Sequence, residues 1–179
     1  APAQPDFQGM WPRLSLLVFS LWLGTGIGVS FVAIPVVFGA PIKDTLPPGE
    51  AGRVAQSILL RLFQWQVGFA GLAGLFYGIE RFRDPVAAGR LRAWVLPPLC
   101  AVALLALAWI HPMLADMHAE RYRIGTPEPR RRELAARFGA WHGASQAGNL
   151  MILVGVLACW QNLSQPVRNS VARNGRDLR

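Results

Sequence analysis

Charge is missing from four long stretches of this 179-residue sequence. No Asp, Glu, Lys or Arg occurs in residues 14–42, 62–79, 93–115 or 138–167. Charged residues make up 16% of the chain, against about 25% in soluble domains. That depletion, with 53% hydrophobic residues and a mean hydropathy of +0.30, excludes an ordinary soluble domain. A bilayer core of about 30 Å takes roughly 20 apolar residues in a helix, and each block meets that length. The expected fold is all-α, a polytopic membrane protein built as a four-transmembrane-helix bundle. A single domain over residues 1–163 would hold spans at about 14–40, 58–79, 93–113 and 138–160. A basic tail, residues 164–179, would leave the bundle.

Other absences exclude functions. The four uncharged stretches hold no Asp, Glu, Lys or Arg, and no inverted repeat is visible, which counts against an ion-coupled transporter. Asp116 and Glu120 flank His118, but no HExxH, nucleophile elbow or glycine-rich phosphate loop accompanies them, so an enzyme is not expected. The only two cysteines, Cys100 and Cys159, lie far apart in apolar blocks without metal-ligand spacing and read as packing residues. The leading APAQPDFQGM lacks the basic and short apolar regions of a signal peptide, so the first block is expected to stay as a span.

What charge there is sits between the blocks. The net charge of +8 falls in the links and the tail, where it suits anionic headgroups and gives no reason to invoke nucleic acid. With four spans both termini share a side with the link 80–92. The basic residues then divide evenly, nine to each side. The short link with four arginines decides for termini in the cytoplasm of a bacterial cell, and so for a multi-pass protein of the inner membrane. Glu50 favours a helix start ahead of the second span. Thr126-Pro127-Glu128 reads as a cap, a first-turn proline and a first-turn acid for the fourth helix.

Within the apolar blocks, small residues and one polar stripe stand out. Gly24/Gly28, Gly74/Gly78 and Gly139/Gly143 have GxxxG spacing, which lets helices approach closely, either inside the bundle or against another membrane subunit. Residues 138–149, FGAWHGASQAGN, place His142, Ser145 or Gln146, and Asn149 along one helical face. Polar groups in hydrocarbon cost several kcal/mol when unsatisfied, so that face should look inward, and Gly139/Gly143 are assigned to the same seam. His111 and His118 are two turns apart, and all three histidines lie near one membrane face. As a site, His111 and His142 would be ligands for haem b or copper. As plain structure, they cap helix ends or bond across the bundle.

Four segments carry a resemblance: LWLGTGIGVSFVAIPVVF, EAGRVAQSILLRLF, WIHPMLADM and FGAWHGASQAGNLMILVGVL. Over most of residues 20–160 the chain resembles the transmembrane-protein-205-like family, an integral membrane domain of unknown function. The matching positions are Gly24, Pro35, Phe38, Ala51, Gly52, Pro112, Phe138, His142, Gly143, Ser145, Asn149 and Leu150. The resemblance implies a four-helix membrane protein and brings no activity, substrate or catalytic residues.

Two functions remain open. One is a non-enzymatic accessory subunit without a resident cofactor. It would sit in the lipid bilayer beside other integral membrane subunits of a respiratory or photosynthetic complex, with Gly24, Gly28, Gly74, Gly78, Gly139, Gly143, Ser145 and Asn149 as its packing positions. The other is a haem- or metal-binding membrane protein using His111 and His142.

Overall fold

The computed structural model describes residues 10–47, 49–83 and 89–174, the side chains at 41, 43 and 165–174 excepted. Four long helices, α1 (Met10–Val37), α3 (Glu50–Arg83), α4 (Arg90–Arg121) and α5 (Glu128–Asn174), carry the four apolar blocks. A single short turn of helix, α2 (Ala40–Lys43), follows α1. The described residues contain no strand. Each long helix is long and apolar enough to cross a membrane.

The helices form a four-membered ring in cross-section. α1 packs against α3 and α5, and α4 closes the other side against the same two, so α1 and α4 lie on the diagonal. They also run in the same direction, as first and third spans must. Each contains one widened π turn, Gly28–Ala33 in α1 and Ala106–Ile110 in α4. The cause is the proline two residues later in each case, Pro35 and Pro112. Proline has no N–H, and its ring presses on the carbonyl four residues back. The chain relieves this one turn earlier: Ile34 N–H bonds Val29 C=O, and His111 N–H bonds Ala106 C=O, five residues back in both.

The dense core belongs to the half that holds the start of α1. Phe19 and Trp22 of α1 meet Phe69 and Ala73 of α3, Leu99 and Ala103 of α4, and Ile152 and Val156 of α5. Trp22 stacks with both Phe19 and Phe69, at 6.4 Å each. Close contact is made at glycines. A methyl on Gly26 would come within 2.6 Å of Leu153, and one on Gly155 within 2.8 Å of Leu99. Both cysteines are free, and Cys159 is in this core.

The helix link 80–92 corrects the sequence reading. Its two end residues are not solvent-facing: Glu80 is 8% and Arg92 3% exposed. Arg92 Nη2 lies 2.6 Å from Glu80 Oε2, Ser15 Oγ donates to Glu80 Oε1 at 2.8 Å, and the guanidinium covers the Tyr77 ring at 5.5 Å. α1, α3 and α4 are thus tied by one buried polar clasp.

Three further expectations change. Thr126 does not cap α5. Its hydroxyl donates to the Glu120 carbonyl at 2.9 Å, and the Pro127 carbonyl accepts the N–H of Arg131. The helix runs past residue 164 to Asn174, so the tail begins as a continuation of α5. Of the expected tail, residues 175–179 lie outside the described residues.

Finally, the GxxxG pairs do not form the seam. Gly24, Gly28, Gly74, Gly78, Gly139 and Gly143 have no neighbour within 4 Å of where a side chain would begin. Gly139 and Gly143 are exposed, so their assignment to the inward face is corrected. The inward glycines are Gly26, Gly148 and Gly155.

Candidate functional site

Beyond the π turns the bundle opens. α1 and α4 continue at altered rotation, and with the first turns of α3 and the start of the α5 span they line a cavity of about 520 Å³. Its walls are mainly apolar, with Ile34, Ala55, Leu59, Phe63, Leu114 and Phe138 among them. Into it look His111, His118, His142, Gln56, Ser145 and Tyr122. The seven-residue spacing of His111 and His118 does place them on one face. The regular turns from His111 to Arg121 lie entirely after the π turn and keep that register.

Each imidazole is held differently. His111 Nε2 lies 3.1 Å from the Gln56 carbonyl, which can only accept, so this nitrogen carries the proton. The Phe63 ring meets His111 edge-on at 6.1 Å. His118 is buried over Gly52, and a side chain at residue 52 would overlap its ring. His142 Nε2 lies 3.1 Å from Gln146 Nε2, one turn on, and accepts from that amide. Phe138 stands between His118 and His142, at 6.0 and 5.6 Å, nearly parallel to the latter (11°). The three imidazoles therefore share a cavity without converging on a point. Among the described residues no group of three His, Cys, Asp or Glu is placed to hold a metal ion.

Glycine is required at the loop end of the site. Gly49 has φ of +89° and lies under the Tyr122 ring, 2.8 Å from where a Cβ would stand. Together Gly49 and Gly52 let the end of α4 settle on the start of α3.

A second cavity, about 320 Å³, shares Ile34, Leu59, Phe63, His142 and Ser145 with the first and leads toward the middle of the bundle. Here the polar stripe finds its partners. Gln66 Nε2 donates to Asn149 Oδ1 at 2.7 Å, and Asn149 Nδ2 donates to Ser30 Oγ at 2.8 Å. Ser30 sits in the π turn of α1. Gln66 is fully buried, and its Oε1 has no partner. The inward direction of Asn149 and Ser145 follows the sequence reading. Ser30, Gln66 and Gln56 were missed, although the same argument applies to them: each is a polar residue in an apolar helix and needs a partner.

A family described as a domain of unknown function (DUF4149) matches residues 17–123. The chain belongs to that family. The match runs from the first half of α1 to the loop after α4 and includes Pro35, Gly49, Gly52, His111, Pro112 and His118. It leaves out α5, and with it the FGAWHGASQAGN stretch on which the resemblance to the transmembrane-protein-205-like family chiefly rested. DUF4149 is therefore the family assignment, and the narrower one is not carried further. No curated protein and no solved structure matches the chain. As a DUF4149 member with four spans, it is a multi-pass membrane protein that contacts lipid along its apolar helices.

Proposed function

We propose that this DUF4149 protein is a non-enzymatic accessory subunit that packs beside a larger assembly, respiratory or photosynthetic, in a bacterial inner membrane, with both termini in the cytoplasm. One observation carries the reading: the GxxxG faces are left unused by the chain's own packing. Gly24, Gly78, Gly139 and Gly143 are exposed and have nothing against them. On α3 the outward positions Gly68, Gly71 and Gly78 continue a line that begins with Arg61 and Gln64, which hydrogen-bond each other at 3.1 Å. Without a hydrophobic drive between helices in lipid, small residues are what allow backbones to meet.

Extraction in mild detergent followed by affinity isolation of the tagged chain tests this. Membrane subunits should co-purify with the parent protein and be lost from Gly78→Leu, whose melting temperature should match the parent. A lone monomer from native membranes sinks the reading. The competing use of His111 and His142 as haem or copper ligands is supported by their shared cavity. It requires both to release present partners at Nε2 or to bind through Nδ1. An absorption spectrum and metal analysis of the native preparation decide it.

A further inference from the structure

The two joined cavities hold features that an accessory role leaves unexplained. Gln56 lines the larger one, and its Nε2 is buried and has no hydrogen-bond partner. A buried donor of this kind is costly when unmet. Among the described residues no carboxylate lines the cavity, and the one cation among them that does, Arg121, is at the end of α4 with its guanidinium 5.3 Å over the Tyr122 ring. The polar groups within are otherwise neutral: amide, hydroxyl and imidazole. They call for an uncharged ligand with an acceptor oxygen. The rings of His118, Phe138 and His142 follow one another in the lining, the last two nearly parallel, an aromatic surface of the kind that a planar group packs against.

The smaller cavity extends this space along Leu59, Phe63 and Ile34 to Phe31 and Leu150. These last two are 63% and 56% exposed on the lipid side of α1 and α5. An apolar tail can therefore pass from the site into the bilayer. Volumes of about 520 and 320 Å³ lie in the range that holds small organic ligands, about 300–1,000 Å³.

We infer that this cavity is a binding site for a prenylated quinone: ring against the Phe138 wall, one carbonyl oxygen accepting from Gln56 Nε2, and tail leaving between Phe31 and Leu150. The site binds the quinone as such, and no redox step is assigned to the chain.

The test uses the full chain purified in detergent and titrated with decylubiquinone, with palmitate and a phosphatidylglycerol in parallel. Saturable binding of one quinone per chain is expected. Gln56→Leu keeps the volume, removes the donor and should weaken binding about tenfold, equivalent to about 1.4 kcal/mol. Ser145→Phe fills the junction of the cavities and should abolish binding. Should that variant not fold, Gln56→Leu alone decides. Absence of saturable quinone binding by the parent overturns the inference, as does parental affinity in Gln56→Leu. Palmitate or phosphatidylglycerol binding as tightly as the quinone overturns it as well.

Discussion

Glu80 and Arg92 join the end of α3 to the start of α4, their charged groups 2.6 Å apart and both nearly inaccessible. The pair sits at the foot of the dense half of the bundle. Two of the three guanidinium nitrogens of Arg92, Nε and Nη1, have no hydrogen-bond partner, so Glu80 and the Tyr77 face are what offset its burial. Removing one member of such a pair strands the other. Glu80→Met and Arg92→Met should each lower stability by about 3–5 kcal/mol, while the two together should lower it far less than the sum. Thermal unfolding in a fixed detergent measures all four states of this cycle.

Asn149 joins α3 to α1 through Gln66 and Ser30. Asn149→Leu should therefore destabilise by about 0.6–2 kcal/mol, the range for interhelical hydrogen bonds in membranes. Leu150→Ala, at an exposed position, should leave the protein near the parent. Equal melting temperatures for parent and Asn149→Leu would refute this.

Gly52 exists beneath His118 because nothing larger fits there. Gly52→Ala should destabilise the chain although alanine is the better helix former by about 1 kcal/mol. His118→Ala in the same chain should recover most of the loss. A double-mutant cycle that shows simple additivity would place the His118 ring elsewhere.

Gly139 and Gly143 give the opposite expectation. With open space around both, Gly139→Ala and Gly143→Ala should leave the isolated protein unchanged or stabilise it by up to about 1 kcal/mol each. Destabilisation in detergent would show that these positions are internal after all.

The four spans were legible because missing charge over 18 or more consecutive residues has few other physical explanations. The direction of Asn149 was legible for a related reason: a carboxamide in hydrocarbon needs partners. The face of Gly139 and Gly143 was misread, although helical arithmetic separates it from the stripe. At 3.6 residues per turn, Gly139 and Gly143 lie about 80° and 120° from Asn149, off its stripe. GxxxG spacing is a local pattern and does not say which side of a helix it occupies. The Glu80–Arg92 clasp was hidden by the boundary itself, since charges flanking an apolar block read as solvent-facing until the ends of α3 and α4 are seen to meet. The cavity was partly visible in three histidines assigned to one membrane face. Its orphan donor, Gln56, was lost among the polar residues of an expected extramembrane turn.

The widened turns at Gly28–Ala33 and Ala106–Ile110 have one more consequence. Each carries an additional residue per turn, and one residue is worth about 100° of rotation in a regular helix. Every side chain beyond them is displaced in register by that amount relative to an unbroken helix drawn from the start of α1 or α4. Deleting a single residue within either turn would turn everything beyond it back by about that angle and leave hydropathy almost untouched. It would also swing Ile34 and Phe38, or His111 and His118, off the cavity wall. The hollow half of the molecule is therefore specified by residue count in two short segments, and a change that no measure of composition would register is enough to close it.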